Sequence, residues 1–334
     1  MSHPALILAT VEAVRSAGFP ARASEVPGLS RGRVRAALAA GALLSPRRGI
    51  VLPAVDWSEA GTTQRHLWAV AAALLAYPGS WASHTSATQL HGITVLAPRP
   101  VNGFPVVHIS RPGATLREAT LVVHGQVAPR EHVGDVQGLR CSTLARATIE
   151  VAARRTVAHA VAVMDAGMRV ALAQTHGDVR RAALDETLRG ALFDTWDAAV
   201  APYTRHRWVT TVRQAIRWAD PAAESFLESI SRVAMAQGGL PSPRCGVPMV
   251  GDDGCTYWLD FWWDDELVIG EADGLGKYRD RDDLLAEKHR QEALESRARA
   301  LVRWGMAQVV PDPQPMLRRL GQVLSPARGM GWSP

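Results

Sequence analysis

The stretch TYWLDFWWDDELVIGEAD, residues 256–273, decides the fold of the C-terminal third of the chain. Two runs rich in aromatic and β-branched residues, 256–263 and 266–273, have the composition typical of strands. Between them stand Asp264 and Asp265, residue types that suit a tight turn. The stretch therefore predicts a β-hairpin, and the rest of the C-terminal region is interpreted around it.

Carboxylates concentrate on this predicted hairpin. Side chains alternate across a strand, so Glu271 and Asp273 project to one face. Asp260 interrupts the apolar run of the neighbouring strand. Three carboxylates on one sheet face are costly without a cation, and oxygen ligands without histidine or cysteine favour a hard ion. The pattern predicts a site for Mg²⁺ or Mn²⁺.

A helix predicted over 221–237 precedes the hairpin. Glu224, Glu228 and Arg232 lie at steps of four along it, so its surface can offer a fourth carboxylate. A divalent ion held by such groups lowers the pKa of a bound water and neutralises charge on a phosphoryl oxygen. Phosphodiester hydrolysis is the reaction that these parts suit.

Lysine is nearly absent from this chain. Of 37 basic residues, only Lys277 and Lys288 are lysines, and both lie close to Glu271 and Asp273 in the sequence. An ammonium is a compact point charge that arginine does not replace, and beside a metal-bound water it can stabilise developing charge. We therefore take Lys277 and Lys288, together with Asp273, as candidate catalytic residues. Of the two lysines, Lys277 comes first because it follows the acidic strand directly.

Residues 220–310 resemble the very-short-patch-repair-like branch of the PD-(D/E)XK nuclease fold. The motifs that carry the resemblance are Glu228 with Arg232, Gly239-Leu240-Pro241-Ser242-Pro243, Leu259-Asp260-Phe261, Glu271-Ala272-Asp273-Gly274, Lys277-Tyr278, Glu287-Lys288 and Ala300-Leu301-Val302-Arg303-Trp304. The resemblance implies a restriction-endonuclease-like α/β/α domain in which Asp260 and Glu271 bind the metal and Glu228 contributes from the helix.

The chain departs from that family at one position. Asp273 stands where the parent motif carries its lysine, so Lys277 or Lys288 must supply the ammonium. Two interpretations stay open. The domain is an active Mg²⁺-dependent endonuclease, or it is a catalytically silent platform that binds DNA or protein.

The N-terminal region has a different pattern. Helical spacing is predicted over 5–17 and 31–40, with a short helical piece at 23–26 and a hairpin over 43–52. Three helices followed by a hairpin are the order of a winged helix-turn-helix, which we predict for residues 1–55. Double-stranded DNA is the expected partner, in line with the net charge of +5.

Arginines cluster in the predicted second helix of this motif and in the wing. They are Arg31, Arg33, Arg35, Arg47 and Arg48. Positive charge in the first turn of a helix opposes the helix dipole, so Arg31 and Arg33 are poor stabilisers of the helix. We predict that all five contact phosphates or base edges of DNA.

Residues 1–190 resemble the AbiEi-type antitoxin regulators of type IV toxin-antitoxin systems. The shared motifs are Arg47-Arg48-Gly49-Ile50-Val51, Ser83-His84-x-Ser86-Ala87-x-x-Leu90-His91-Gly92 and Gly138-Leu139-Arg140-Cys141-Ser142-Thr143-Leu144-Ala145-Arg146-Ala147. The resemblance implies promoter binding and a nucleotidyltransferase-like toxin as partner. For Ser83, His84 and His91 we expect helix capping and core packing rather than nucleophilic catalysis.

The expected fold class is α/β multidomain. It comprises the winged helix-turn-helix at 1–55, a mixed α/β and then helical middle at 56–215, the nuclease-like domain at 216–315 and a tail at 316–334. Three cysteines without CxxC spacing exclude a disulfide framework or a zinc site. The N-terminus does not look like a secretory signal, and the longest apolar run, 68–77, is too short to cross a bilayer. We expect a cytoplasmic protein without a membrane partner, and a homodimer as a further assembly to test.

Overall fold

The computed structural model describes residues 3–272 and 281–325, with side chains at 4–272 and 288–325. Helices and strands are mixed along the chain, which divides into two compact units. Unit 1 is Met1–Glu150 and unit 2 is Val151–Pro334. The expected α/β multidomain class is confirmed at this level. The sequence boundaries at 55 and 215 lie inside these compact units.

Unit 1 begins with two helices and a three-stranded antiparallel sheet of order β1-β3-β2. The elements are α1 His3–Ser16, β1 Ala21–Arg22, α2 Arg31–Ala39, β2 Leu43–Arg47 and β3 Ile50–Pro53. Val14, Ala37, Leu43 and Val51 form the buried core between helices and sheet. Ser30 caps α2 as its residue type predicts, because its Oγ accepts from the Arg33 N–H at 3.3 Å.

The helical piece predicted at 23–26 is wrong. This segment is a turn, and its first N–H, on Ala23, donates to the Gly49 carbonyl at 2.9 Å in the β2–β3 turn. The long-range hydrogen bond ties the segment to the sheet and takes the place of a helical one.

The remainder of unit 1 is a six-stranded sheet of order β6-β7-β5-β4-β9-β8 with helices against it. The elements are α3 Ala54–Glu59, α4 Thr62–Ala76, β4 Trp81–Ala82, α5 His84–Leu90, β5 Val107–Arg111, β6 Leu116–Glu118, β7 Leu121–Gly125, β8 Val133–Val136, β9 Leu139–Ser142 and α6 Leu144–Ala152. The apolar core includes Val70, Ile109 and Leu121.

Unit 2 opens with a set of helices, in which α7 packs against both α10 and α11. They are α7 Val157–Thr175, α8 Val179–Ala182, α9 Glu186–Val200, α10 Val209–Arg217 and α11 Phe226–Gln237. The helix predicted from 221 begins at Phe226, where Ser225 caps it by accepting from the Glu228 N–H at 3.1 Å. The packing partners of α11 therefore come from the segment that the sequence analysis assigned to the middle of the chain.

A four-stranded sheet of order β10-β11-β12-β13 forms the other half of unit 2. Its strands and helices are β10 Arg244–Val250, β11 Thr256–Trp263, β12 Val268–Ala272, α12 Arg281–Leu294, β13 Ala300–Trp304 and α13 Gln314–Leu324. β11 and β12 form the predicted antiparallel hairpin, and β13 pairs with β12 in parallel. The turn has four residues, 264–267, rather than two, because the Leu267 carbonyl accepts from the Arg299 N–H at 2.7 Å.

Two further parts of unit 2 differ from the sequence predictions. Strand β10 was not predicted, and its Pro248 and Gly246 are residues that weaken a strand pattern. The tail expected from residue 316 is wrong over its first part, because α13 is a helix. Its apolar residues at helical spacing, Met316, Leu317, Leu320 and Leu324, are buried.

Among the described helices, none has a segment both long and apolar enough to span a membrane.

A substitution at Gly270 would test the packing of the hairpin. A Cβ at this position would lie 2.8 Å from the Trp263 ring and 2.9 Å from the Trp304 ring. Gly270→Ala should lower the free energy of unfolding by about 1–3 kcal/mol, the usual cost of overpacking. Urea denaturation of the full chain measures this change.

The matched control is Gly190→Ala in α9. A Cβ at Gly190 meets nothing within 4 Å, so alanine should be neutral or stabilise the helix by up to ~1 kcal/mol. If both variants shift the unfolding free energy equally, Gly270 is not limited by the two indole rings.

Candidate functional site

The hairpin brings two of the predicted metal ligands together. In the β11–β12 pair, Phe261 is opposite Gly270, and continuing this register places Asp260 opposite Glu271. The half-buried Asp260 accepts from the Ala272 N–H through Oδ2 at 2.8 Å, and Glu271 is only 1% exposed. Opposed residues of an antiparallel pair share one face, so both carboxylates lie on the same side of the sheet.

The third predicted ligand comes from α11. Glu228 is 5% exposed, and its Oε2 accepts from the Glu224 N–H at 2.7 Å. Its own N–H donates to the Ser225 Oγ at 3.1 Å. Glu228 therefore takes part in an N-terminal capping arrangement at the start of α11.

Glu228 and Asp260 are electrostatically linked. Burial, with the negative charge of Asp260 as the next cause, raises the pKa of Glu228 from 4.5 to about 7. A raised carboxyl pKa of this origin means that the ionised form lacks sufficient positive charge around it. Near neutral pH the group either holds a proton or benefits from a cation.

An arginine that the sequence analysis did not select meets Glu271. Arg290 on α12 donates from Nη2 to the Glu271 Oε1 at 2.7 Å and to the Trp258 carbonyl at 3.0 Å. Such a pair offsets the cost of burying the Glu271 charge. In a chain with so many arginines, spacing alone gave no signal that singled out Arg290.

A second arginine lies over the same sheet. Arg180 on α8 forms two hydrogen bonds with Glu224, Nε to Oε1 at 2.7 Å and Nη2 to Oε2 at 2.9 Å. Its guanidinium carbon is 5.5 Å from the centre of the Trp258 ring. The hydrogen bonds that Arg180 donates to Glu224 raise the pKa of Arg180, and the negative charges of Asp260 and Glu228 add to this effect. Positive charge therefore borders the carboxylates from α8 and from α12.

The donor chemistry of the carboxylates suits a hard divalent ion. Asp260, Glu228 and Glu271 supply oxygens alone, the ligands of Mg²⁺ and Mn²⁺, and the raised pKa of Glu228 is what an added cation would reverse. Within residues 3–272 and 281–325, however, no three His, Cys, Asp or Glu side chains are grouped as a ready-made metal site. Of the three carboxylates, Glu228 has its pKa raised by burial and by the charge of Asp260, and Glu271 is bonded to Arg290.

Of the predicted catalytic residues, the structure describes only the side chain of Lys288. Asp273 and Lys277 lie outside the described residues. Lys288 is on α12 with its side chain 74% exposed, and its Nζ is 3.7 Å from the Glu292 Oε1. Residues two apart on a helix do not face the same way, so Lys288 is turned from the side on which Arg290 meets Glu271. Arg290, rather than Lys288, is the α12 cation at the carboxylates.

The five arginines predicted to bind DNA fall into two groups. Arg31, Arg35 and Arg48 are exposed. Arg33 is half-buried, and its Nη1 donates to the Gly28 carbonyl at 2.7 Å. Arg47 donates from Nη2 to the Thr120 carbonyl at 2.6 Å, and burial lowers its pKa. The structure gives Arg33 and Arg47 packing roles and leaves the other three on the surface.

The serine and histidines of the SHxSA motif lie in a buried polar network of unit 1. Ser110 donates to the Ser83 Oγ at 2.7 Å, and the His84 N–H donates to the Glu150 Oε2 at 2.8 Å. His91 bonds through Nε2 to the Ser142 carbonyl at 2.9 Å, and burial lowers its pKa. Core packing is therefore as expected.

The predicted side-chain cap by Ser83 is wrong. Ser83 stands at the N-cap position of α5, but its hydroxyl makes no capping hydrogen bond. That hydroxyl is instead 3.1 Å from the His84 Nδ1 and accepts from Ser110.

Comparison with known proteins gives two relatives, both described as uncharacterized proteins. They are from Mycobacterium tuberculosis strains CDC 1551 / Oshkosh and ATCC 25618 / H37Rv. Each is 27% identical to the chain over 226 residues, which is 67% of this chain and 76% of the relative. No protein-family model matches the chain, and no solved structure matches it.

The raised pKa of Glu228 predicts a pH-dependent stability. The pKa of about 7 in the folded chain exceeds the ordinary value of 4.5. Between pH 4.5 and pH 7 the folded state therefore binds more protons than the unfolded state. The stabilisation is complete below about pH 4.5 and is lost as pH rises through 7, with a slope of up to ~1.4 kcal/mol per pH unit. Relative to Glu228→Gln, the wild type should therefore lose unfolding free energy with rising pH in EDTA.

Urea titrations at several pH values measure this difference. Glu295→Gln, at an exposed position of the same unit, should run parallel to the wild type. Parallel curves for Glu228→Gln as well would contradict the raised pKa of Glu228.

Proposed function

We propose that the chain is a DNA-binding transcriptional regulator of the antitoxin-like kind whose unit 2 carries a metal-dependent phosphodiesterase site. One observation carries the second half of this proposal. Asp260 and Glu271 lie opposite each other on two adjacent strands, and the charge of Asp260 contributes to the raised pKa of Glu228 on α11. Perturbed pKa values of buried acidic groups cluster at functional sites.

The proposed fold of unit 2 is that of a restriction-endonuclease-like α/β/α domain. Support comes from a mixed four-stranded sheet with α11 contacting β12 and α13 contacting β13. The proposed fold of residues 1–55 is a winged helix-turn-helix, with α2 as the helix that enters the major groove and β2–β3 as the wing. Exposed Arg31 and Arg35 on α2 and Arg48 in the wing turn suit this geometry.

The mechanism assigns tasks to the residues at the carboxylates. Asp260, Glu271 and Glu228 would hold Mg²⁺ or Mn²⁺, which when bound activates a water and neutralises phosphoryl charge. Without a bound cation Glu228, with its pKa of about 7, can hold a proton at neutral pH, and a bound cation would favour its ionised form. Arg180, held in place by Glu224 and Trp258, offers a fixed positive charge for a phosphodiester oxygen.

A second candidate function is the catalytically silent regulator or antitoxin. The observation that favours it is the Arg290–Glu271 pair at 2.7 Å, which supplies Glu271 with the positive charge that a metal would otherwise provide. In that case the nuclease-like unit serves DNA or protein binding alone. A nucleotidyltransferase-like toxin and a second copy of the chain are the protein partners proposed for either candidate.

Plasmid nicking decides between the candidates. Purified chain with supercoiled plasmid and Mg²⁺ or Mn²⁺ should convert it to the open circle, and Asp260→Asn or Glu271→Ala should lower the rate at least a hundredfold. Asp265→Asn, at an exposed acid in the turn of the same hairpin, is the matched control and should keep full activity. Absence of metal-dependent nicking, or nicking that Glu271→Ala leaves intact, selects the silent regulator.

A further inference from the structure

We propose that unit 2 binds the DNA backbone at a second surface, separate from the carboxylates. This surface, the α10 arginine surface, consists of Arg205, Arg207, Arg213 and Arg217. This proposal rests on the proposed function in one respect, because both name DNA as the partner. The site itself comes from observations independent of the carboxylates and of the N-terminal arginines.

The segment that contains these four arginines carries positive charge without any acidic residue. Between Asp197 and Asp220 the sequence contains four arginines and no aspartate or glutamate. Arg205 and Arg207 are exposed in the turn before α10. That turn is packed by rings, because His206 lies 5.7 Å from Tyr203 and 5.0 Å from Trp208 between ring centres. The two arginines therefore project from an ordered base.

Helix α10 presents the other two. Val209, Val212 and Ile216 are buried and fix one side of the helix against its neighbours. Arg213 and Arg217 are exposed and one turn apart, so their Cβ atoms are about 6 Å from each other on one face. The helix adds about 12 Å of length to the turn that precedes it. Four charges spread over this distance suit an extended polyanion better than a single small anion.

These arginines differ from most of those around them in having no carboxylate partner. Arg169 and Arg180 each bond to Glu224, Arg189 to Asp220, and Arg232 to Asp165. By contrast, none of the four surface arginines has an aspartate or glutamate oxygen within 4.0 Å in the part of the chain that the structure describes. Their charge is left for a partner outside the chain.

A cavity continues the surface into the unit. It has a volume of about 310 Å³, and its lining includes Arg189, Arg217, Asp220, Arg232 and Ser242. The buried Nε of Arg232 has no hydrogen-bond acceptor among the described residues. An unmet buried N–H is costly, and Arg232 is one of the residues that line this cavity.

The ligand chemistry follows from these features. Arginine forks bind phosphate oxygens in pairs and stay charged. The surface therefore contacts phosphates without regard to sequence, and it would position DNA along unit 2.

Duplex binding of the full chain, measured by fluorescence anisotropy at a series of salt concentrations, tests the proposal. Arg213→Ala with Arg217→Ala should weaken binding at least fivefold and lower the slope of log affinity against log salt by about two, because each phosphate contact contributes ~0.9. The matched control is Arg181→Ala with Arg244→Ala, which removes two exposed charges that have their own carboxylates, Asp178 and Asp264. The control should keep the wild-type slope.

A parallel variant, Arg31→Ala with Arg35→Ala, separates the two claims. If this variant loses affinity while Arg213→Ala with Arg217→Ala matches the control, the α10 arginine surface is refuted and N-terminal DNA binding stands. If the wild type itself binds no duplex, the proposed function fails and the surface with it. Displacement of the duplex by inorganic phosphate at constant ionic strength would overturn the proposal in favour of a small anion.

Discussion

The burial of Glu271 and Glu228 beside Asp260 is the constraint on which the arrangement of unit 2 depends. Carboxylates with 1% and 5% exposure are far from water, so their charges require partners inside the protein. Arg290 provides one partner for Glu271, and main-chain N–H groups provide others for Glu228 and Asp260. Arg290 therefore links α12 to the hairpin, whereas the N–H partners of Glu228 and Asp260 lie just before α11 and within the hairpin.

The hairpin supplies the rigid side of this arrangement. Gly270 lets the indoles of Trp263 and Trp304 close over the strand, and Trp304 donates from Nε1 to the Ser231 Oγ of α11 at 2.8 Å. The apolar packing thus fixes the distance between β12 and the helix that carries Glu228. Electrostatics alone would drive the carboxylates apart, and the tryptophan packing opposes that movement.

Local patterns predicted much of this structure. The strand at 256–263, the helix cap at Ser30 and the buried ends of the hairpin follow from residue type and alternation, so they could be predicted from the sequence. Strand β10 could not, because Pro248 and Gly246 belong to an edge strand whose pairing is set by β11. Helix α13 was not predicted, because prolines lie at the start of its apolar residues with helical spacing.

The acids of the candidate site stood out in the sequence, whereas the two arginines beside them did not. Asp260, Glu228 and Glu271 stand out because acids are rare in buried segments. Arg290 and Arg180 approach from helices 19 and 44 residues away from the acids to which they bond, and spacing carries no information about such contacts. The same limit applies to Arg47, which is half-buried and whose bond to Thr120 spans 73 residues.

The central claim is that Asp260, Glu271 and Glu228 form one divalent-metal site. A crystal soaked in about 10 mM MnCl₂ and recorded near the manganese absorption edge tests it most directly. The account predicts an anomalous peak at about 2.0–2.2 Å from oxygens of Asp260 and Glu271. A map without such a peak, in which Arg290 still donates to the Glu271 carboxylate, would contradict it.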